Sequence, residues 1–426
     1  MTRELLTGNA AAAWGARLAA VDYIPAYPIT PQTEIMEALA QWVALGEMDA
    51  RLVTMDSEHS MLTAAGAAAA TGIRVFTASS SQGLLYGLEM LYTVAGWRVP
   101  LVLANVSRAV AAPITLEPDH NDILAARDSG FLQIHAETCQ EVLDSIIMAY
   151  RLAEHPDVLL PVIVNLDGFY LSFTREPVDI PGWDAVREFL PPYRAAHAHF
   201  SASHGMAQGV AVLGGGTYAF FKYQMQRAAE AALNVHDEIA AEFCNRFDRC
   251  YGAVEGYRLD DAEWVFVMSN SFSTIGKAEV GRLRAAGHKV GLLRLRMIRP
   301  FPHAEVQWLL DGRRGVAVID QNLSVGKGGI LFAEVASALT GRSSPPLLSF
   351  IGGLGGRRFR SEEFDQMLAA LRVAESAGGS PEPHLLYSAQ EFEQVRGLLR
   401  IAHGEPAAAP APAATAAVPP AATREG

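Results

Sequence analysis

The sequence predicts an α/β fold in which two series of strands and helices follow one another. Runs rich in Val, Ile and Leu recur without alternation, which is typical of strands buried on both faces of a parallel sheet. Alanine-rich or amphipathic stretches, such as 61–71 and 278–286, separate these runs. With 426 residues, 50% of them hydrophobic, the chain is long enough for two or three such domains. We therefore expect two α/β domains in succession.

The strands are predicted from the apolar runs alone. They are 51–55, 74–79, 100–106, 158–166, 210–214, 264–269, 289–295, 315–320 and 347–351. A proline-rich stretch at 172–208 is expected to form an extended crossover. The second series begins near Ala262 and ends near Val373, and a short helix is predicted at 389–402.

Charge and cysteine content argue against several classes of function. The net charge of −12 disfavours nucleic acid as the main partner, because phosphate binding needs a basic face. No apolar run of about 18 residues predicts a membrane span, and the N-terminus lacks the apolar core of a signal peptide. Cys139, Cys244 and Cys250 form no CxxC, so neither a disulfide framework nor an iron–sulfur cluster is expected in this chain. Cys244 and Cys250 could pair or bind metal, but unpaired thiols in a reducing cytoplasm are favoured.

The sharpest local motif is Tyr27-Pro28-Ile29-Thr30-Pro31. Each proline keeps the preceding residue extended, so Thr30 is predicted to cap a helix over 32–45. Such a helix end presents free N–H groups and the positive end of its dipole, which favours a small anion site. An ordinary capped helix is the alternative.

Three further motifs follow predicted strands. They contain Glu58, the run Ser81-Gln82-Gly83, and Arg108. The carboxyl ends of parallel strands form the ligand-binding edge of a sheet, so we expect these groups to lie together. Taken alone, Glu58 could equally be a favourable charge in the first turn of a helix.

Two other patterns predict no site. Gly214-Gly215-Gly216 does not form GxGxxG and is not followed by a suitably spaced acidic residue, which disfavours a dinucleotide site. His197, His199 and His204 have only loose metal-like spacing, so no metal is predicted there.

In their order along the chain, the motifs resemble those of the α subunit of 2-oxoacid:ferredoxin oxidoreductases, which include pyruvate, 2-oxoisovalerate and phenylglyoxylate enzymes. The matching segments are YPITPQTEIME, DSEHSML, SSSQGL, NVSRAVAAP, PDHNDILAARDSGF and PVIVNLDGF. The segments SNSFSTIGKAEV, KVGLLRLRMIRPFP and VAVIDQNLSVGKGG are similar to the second, transketolase-C-like domain of that subunit.

The resemblance implies a pyrimidine-type thiamine-diphosphate-binding domain and a smaller transketolase-C-like α/β domain. Their expected bounds are 1–258, including the crossover at 172–208, and 259–375. A C-terminal helical segment at 376–404 and a disordered Pro/Ala-rich tail at 405–426 are predicted to follow.

The resemblance also implies that thiamine diphosphate is shared with a β subunit, whose GDG…N motif holds the diphosphate and Mg²⁺. This chain has no GDG motif and no cysteine cluster. Mg²⁺ and iron–sulfur clusters are therefore expected only in partner subunits, namely the β subunit, a γ subunit and an iron–sulfur subunit of the δ type.

By the same resemblance, Glu58 is the catalytic carboxyl group that contacts N1′ of the aminopyrimidine and favours its imino tautomer. Ser81, Gln82 and Gly83 would bind the cofactor beside it. Thr30 and Arg108 would hold the carboxylate of the 2-oxo acid, for which a guanidinium fork and a hydroxyl are well suited.

The implied reaction is oxidative decarboxylation of a 2-oxo acid with coenzyme A, giving acyl-CoA, CO₂ and two electrons for ferredoxin or another acceptor. Pyruvate-specific relatives commonly carry an aromatic residue before Asp119-His120, and the run 112–118 has none. An aromatic substrate such as phenylglyoxylate is therefore favoured, with pyruvate next. A lipoamide-linked or transketolase-type thiamine enzyme and a non-catalytic scaffold subunit are the alternatives.

Overall fold

The computed structural model describes residues 2–195, 199–203, 205–341 and 344–404. His197, His204 and the tail predicted at 405–426 lie outside these residues. The chain divides into two compact units, Met1–His384 and Leu385–Gly426.

The strands that the structure describes are three to six residues long. They are β1 (Thr2–Thr7), β2 (Tyr23–Ala26), β3 (Arg51–Thr54), β4 (Phe76–Ser79), β5 (Val102–Ser107), β6 (Leu132–His135), β7 (Val162–Asp167), β8 (Arg175–Ile180), β9 (Val254–Tyr257), β10 (Trp264–Ser269), β11 (Val290–Leu295), β12 (Met297–Arg299), β13 (Gly315–Asp320), β14 (Leu347–Ile351) and β15 (Ser380–Leu385).

Most of the helices lie between successive strands. They are α1 (Gly8–Leu18), α2 (Thr33–Ala44), α3 (Glu58–Ala69), α4 (Ser81–Tyr86), α5 (Leu88–Trp97), α6 (Asn121–Ala125), α7 (Cys139–Ala153), α8 (Trp183–Phe189), α9 (Gly215–Phe247), α10 (Ser273–Ala285), α11 (His303–Leu310), α12 (Ile330–Ala338), α13 (Ser361–Ala377) and α14 (Ala389–Ala402).

The first sheet has the strand order β12-β6-β7-β5-β4. Strands β4 to β7 run parallel, while β12 returns from later in the chain and pairs antiparallel with β6. Every residue of β5 and β7 is buried, as their uninterrupted apolar runs predicted. Helix α1 packs closely against α7, where a Cβ at Gly15 would lie only 2.7 Å from the Cβ of Ile146.

The second sheet has the order β15-β14-β13-β10-β11-β9. Strands β10, β11, β13 and β14 are parallel, which confirms the α/β character predicted for this part of the chain. A continuous apolar cluster joins the two sheets, since it contains residues of α3 and α5 together with Val265 and Val316. None of the helices that the structure describes is both long and apolar enough to cross a membrane.

Several local predictions were wrong. The crossover expected at 172–208 contains β8 and α8, and the helical segment expected at 376–404 contains β15. Residues 210–214 form no strand, and their apolar side chains remain in solvent: Val210 is 67% and Leu213 98% exposed. The 33-residue helix α9 begins directly afterwards. Cys244 and Cys250 form a disulfide, because the end of α9 and the following turn bring their Cα atoms within 4.5 Å.

The predicted helix cap at Thr30 was also wrong. Thr30 and Pro31 lie in a turn before α2, and Gln32 occupies the cap position without a side-chain hydrogen bond to the helix. The reason is that the Gln32 N–H bonds to the carbonyl of Ile29, and this turn delays the helix until Thr33.

Candidate active site

The predicted site residues lie at one edge of the fold. Strands β2 and β3 are parallel, as are β4 and β5, and a bridge between Tyr23 and Val75 joins the two pairs in the same sense. Their carboxyl ends lead into the residues that the sequence singled out. We call this set the reactive edge; it consists of Thr30, Glu58, Ser81, Gln82, Gly83 and Arg108.

Glu58 is the first residue of α3 and is only 6% exposed. The helix begins there because the Ser57 hydroxyl caps it, accepting the N–H of Ser60. No hydrogen bond from the described residues reaches the Glu58 carboxyl oxygens. The carboxyl group is therefore available to a ligand.

Gly83 makes the space in which the Glu58 carboxyl group lies. A Cβ at Gly83 would be 2.4 Å from Glu58 Oε1 and 2.9 Å from the Ser79 hydroxyl oxygen. The Ser79 hydroxyl is itself buried without a hydrogen-bond partner. A free carboxyl group, a free hydroxyl and a backbone without a side chain therefore meet at one point.

Arg108 follows β5 and is buried, with 7% of its surface exposed. Its guanidinium donates to the Thr30 carbonyl oxygen at 2.7 Å and to Gln82 Oε1 at 2.6 Å. Among the described residues, no carboxylate lies within ion-pair distance of this guanidinium, and its Nε is buried without a partner. Burial lowers the pKa of Arg108, and Asp122 opposes that effect. A buried cation without a counter-ion is suited to bind an anion.

Thr30 joins this arrangement through its backbone. Its carbonyl oxygen accepts the Arg108 hydrogen bond, while its side chain is exposed at the reactive edge. Because the side chain is exposed, its hydroxyl group is available to a ligand, although the residue does not cap α2.

Ser81 adopts a left-handed backbone conformation with φ of 48°. Such a conformation is uncommon for residues other than glycine and is held here by surrounding hydrogen bonds. The Ser81 N–H donates to Asp122 at 2.9 Å, and its hydroxyl lies 2.5 Å from Gln82 Oε1 and 3.0 Å from the Ala109 carbonyl. Gln82 Oε1 thus meets both Arg108 and Ser81, which fixes the orientation of its amide.

Asp122 is the organising residue that the sequence reasoning missed. Its buried carboxylate accepts the backbone N–H groups of Ser81 at 2.9 Å and Arg108 at 3.2 Å, together with side-chain donors from Asn105 and Ser107. Burial raises the pKa of Asp122, and these hydrogen bonds oppose the shift. The motif containing Asp122 was visible, but its return to the strand ends depends on tertiary structure.

A second buried polar cluster lies behind the reactive edge. His120 Nε2 lies 2.9 Å from Asp167 Oδ1, which also accepts from Asn270 at 3.0 Å. Burial disfavours the charge on His120, but Asp167 outweighs burial and raises the pKa of His120. Burial and the neighbouring His120 lower the pKa of His135 to about 3. Burial raises the pKa of Asp320 to about 7.

The residues around Glu58 fit the aminopyrimidine of thiamine diphosphate. A buried carboxyl group without a partner suits a ring nitrogen, and a side chain at Gly83 would fill the adjacent space. Among the described residues, no group of three or more His, Cys, Asp or Glu side chains is arranged to hold a metal ion.

Two family models match the chain. Residues 14–241 match the thiamine-diphosphate-binding domain of pyruvate flavodoxin/ferredoxin oxidoreductases. Residues 262–364 match core domain II of pyruvate:ferredoxin oxidoreductase.

Several proteins of the same family are similar to this chain over most of their length. The pyruvate synthase subunit PorA of Methanocaldococcus jannaschii is 44% identical over 87% of this chain and 95% of its own. PorA of Thermotoga maritima is 42% identical over 84% of this chain and 92% of its own. The ketoisovalerate oxidoreductase subunit VorA of Pyrococcus abyssi is 40% identical over 84% of this chain and 90% of its own.

A solved structure shares the fold at low identity. The 2-oxoglutarate:ferredoxin oxidoreductase from Magnetococcus marinus, with 2-oxoglutarate, coenzyme A and succinyl-CoA bound, has a TM-score of 0.67 at 18% identity. The match covers 87% of this chain, which spans 65% of that structure's length. The domain matches and the relatives together show that the chain belongs to the 2-oxoacid:ferredoxin oxidoreductase family and is of the α-subunit type.

Proposed function

We propose that this chain is the α subunit of a multi-subunit enzyme that oxidatively decarboxylates a 2-oxo acid. Coenzyme A takes the acyl group, CO₂ leaves, and two electrons pass to ferredoxin or another acceptor. The observation that carries the proposal is the convergence of a free buried carboxyl group, Glu58, and a buried guanidinium without a counter-ion, Arg108, at one sheet edge. A non-catalytic scaffold subunit has no need of that convergence.

Bound thiamine diphosphate would supply the carbon nucleophile and the electron sink of the reaction. The carboxyl group of Glu58 would hydrogen-bond N1′ of its aminopyrimidine and hold the proton there that favours the imino tautomer. Gly83 leaves room for the ring, and Ser81 and Gln82 shape the wall beside it.

The 2-oxo acid would be oriented through its carboxylate. The Arg108 guanidinium would provide charge-assisted hydrogen bonds, and the exposed Thr30 hydroxyl would be a second donor. Because Gln82 Oε1 and the Thr30 carbonyl fix the guanidinium, the keto carbon would meet the cofactor in one orientation.

Partner subunits would complete the site. The chain lacks a GDG motif and a cysteine cluster, which supports a β subunit that holds the diphosphate and Mg²⁺. A γ subunit and an iron–sulfur subunit of the δ type would carry electrons to the acceptor.

The names of the relatives favour pyruvate as the substrate, because several of them are pyruvate synthase subunits. Another is a ketoisovalerate oxidoreductase subunit, so 2-oxoisovalerate is the next candidate. The preference for an aromatic acid such as phenylglyoxylate stays a prediction. It depends on the run 112–118, in which Ile114 and Leu116 are exposed.

The complex should be purified from its host through a tag on this chain, and its subunits identified. Viologen reduction is then measured with pyruvate, 2-oxoisovalerate or phenylglyoxylate, omitting thiamine diphosphate or coenzyme A in turn. We expect turnover that needs both cofactors. Reduction of lipoamide in place of the viologen, or no turnover with any 2-oxo acid, would contradict the proposal.

A further inference from the structure

The segment 119–122 connects the carboxyl edges of the two sheets. The backbone N–H of His120 donates to the carbonyl of Gln321, just after β13, at 2.8 Å. The side chain of Asn121 accepts the backbone N–H of Leu323 at 3.1 Å. The segment is therefore attached to the second sheet through both its backbone and a side chain.

The side chain of His120 adds a third attachment through Asp167, at the end of β7. The same carboxylate accepts from Asn270 and from the Ser271 N–H, each at 3.0 Å, and from the Ser271 hydroxyl. Asn270 and Ser271 directly follow β10. A single buried carboxylate thus joins the first sheet, the second sheet and the segment 119–122.

The other end of the segment holds the reactive edge. Asp122 lies two residues after His120 and accepts the backbone N–H groups of Ser81 and Arg108. These two N–H groups belong to the residues that position Gln82 and the substrate-binding guanidinium. A displacement of the segment would move Asp122 and, with it, the backbone of Arg108.

We propose that His120 is a positioning residue for the 2-oxo acid site: it locks the segment 119–122 to Asp167 and the second sheet, so that Asp122 holds Arg108 in place. The proposal rests on the proposed function of Arg108. It gives the second domain a role in the reaction without contact with the reacting atoms. His120, Asp167 and Asp122 are each at most 1% exposed. Side chains buried to this extent are closely packed, so a displacement of one moves its neighbours.

The test uses His120→Leu, which removes the ring nitrogens, and His120→Gln, which keeps a donor, in the assembled complex. For His120→Leu we expect the KM for the 2-oxo acid to rise about tenfold, while the KM for coenzyme A stays within twofold of wild type. His120→Gln should recover part of the lost affinity. His303→Leu, at the exposed start of α11, is the matched control and should leave both constants unchanged.

Ser271→Ala keeps the test decisive if His120→Leu does not fold. It removes only one hydroxyl donor to Asp167, and we expect the KM for the 2-oxo acid to rise about two- to threefold. A purely structural role would lower the melting temperature or the active fraction without changing this KM. If the folded variants keep the wild-type KM for the 2-oxo acid, the role of His120 is refuted and the proposed function is not affected. If the wild-type complex is inactive with every 2-oxo acid, the proposed function is refuted as well.

Discussion

Two regions of the molecule contain buried arginines that differ in whether a carboxylate is paired with them. At the reactive edge, Arg108 contacts only neutral oxygens, those of the Thr30 carbonyl and the Gln82 amide. Between the two sheets, Arg294 and Arg296 both bind the buried carboxylate of Glu141, at 3.0 and 2.6 Å. We call this second region the charge cluster; it consists of Glu137, Glu141, Glu255, Lys277, Arg294 and Arg296.

The difference distinguishes buried charges that are paired within the chain from buried charges that are open to a ligand. In the charge cluster every cation is paired with at least one carboxylate. Although burial opposes the charge on Glu141, Arg294 and Arg296 lower its pKa. Burying a guanidinium without a carboxylate costs free energy that an incoming anion can offset. Glu58 similarly keeps a buried carboxyl group free of protein partners. The reactive edge thus offers charged groups to a ligand, whereas the charge cluster pairs its charges within the chain.

The largest effect is expected for Glu58→Gln, which changes the reactive edge without changing its volume. Because Gln cannot hold the proton at the aminopyrimidine, kcat should fall by about 10²–10⁴-fold while the melting temperature stays the same. The measurement is viologen reduction by the assembled complex. Glu37→Gln, at an exposed position of α2, is the control. Full activity of Glu58→Gln would remove the assigned role.

In the charge cluster, Glu141→Gln should act on stability. The substitution leaves Arg294 and Arg296 buried with too little negative charge, so we expect a loss of about 3–5 kcal/mol in the free energy of unfolding. Glu375→Gln breaks an exposed pair with Arg314 and should leave the melting temperature nearly unchanged, because solvent screens that pair. Equal melting temperatures for the two variants would show that the charge cluster is not structural.

Gly83→Ala tests the geometry of the reactive edge. The new methyl group would lie 2.4 Å from Glu58 Oε1, so the carboxyl group must move away from its position. We expect kcat to fall about tenfold or more with little loss of stability, since the flexible end of Glu58 can shift. Gly96→Ala, in an exposed position with no atom within 4 Å, is the matched control. If both variants retain wild-type kcat, the placement of Glu58 against Gly83 is irrelevant to turnover.

The most gradual effect is a pH dependence of the stability caused by Asp320. Burial raises its pKa in the folded chain to about 7, above the unfolded value of about 3.9, so the folded state binds the proton more tightly. The stabilisation is complete below about pH 4 and is lost as the pH rises to about 7, by about 1.4 kcal/mol per pH unit. Asp320→Asn does not titrate. The difference in melting temperature between wild type and variant should therefore change steadily from pH 4.5 to 6.5. If the two plots of melting temperature against pH run parallel, the raised pKa of Asp320 is contradicted.

The sequence predicted eight of the strands that the structure describes, and it predicted the position of the reactive edge, because apolar runs and strand ends are local features. The predicted strands are β3, β4, β5, β7, β10, β11, β13 and β14; the predicted runs do not include β1, β2, β6, β8, β9, β12 or β15. The apolar runs of β5, β7, β10 and β13 are buried on both faces, and the carboxyl ends of parallel strands necessarily meet. The resemblance of the ordered motifs added the family, which the comparisons confirm.

What could not be predicted depends on contacts between distant parts of the chain. Asp122 acts on residues 14 and 41 positions earlier, a relation that no local pattern shows. The run 210–214 is as apolar as a strand, but nothing packs over Val210 or Leu213. The cap expected at Thr30 failed because a turn to Ile29 competes with the helix.

The central claim is that the carboxylate of the 2-oxo acid binds the unpaired guanidinium of Arg108. Its most direct test is the kcat/KM of Arg108→Ala for the 2-oxo acid, measured together with the KM for coenzyme A. If the substrate carboxylate supplies the missing counter-ion, kcat/KM for the 2-oxo acid should fall by about 10- to 100-fold, because a hydrogen-bonded charge pair is lost. The KM for coenzyme A should stay as in wild type. An unchanged kcat/KM for the 2-oxo acid would show that the guanidinium of Arg108 does not bind the substrate.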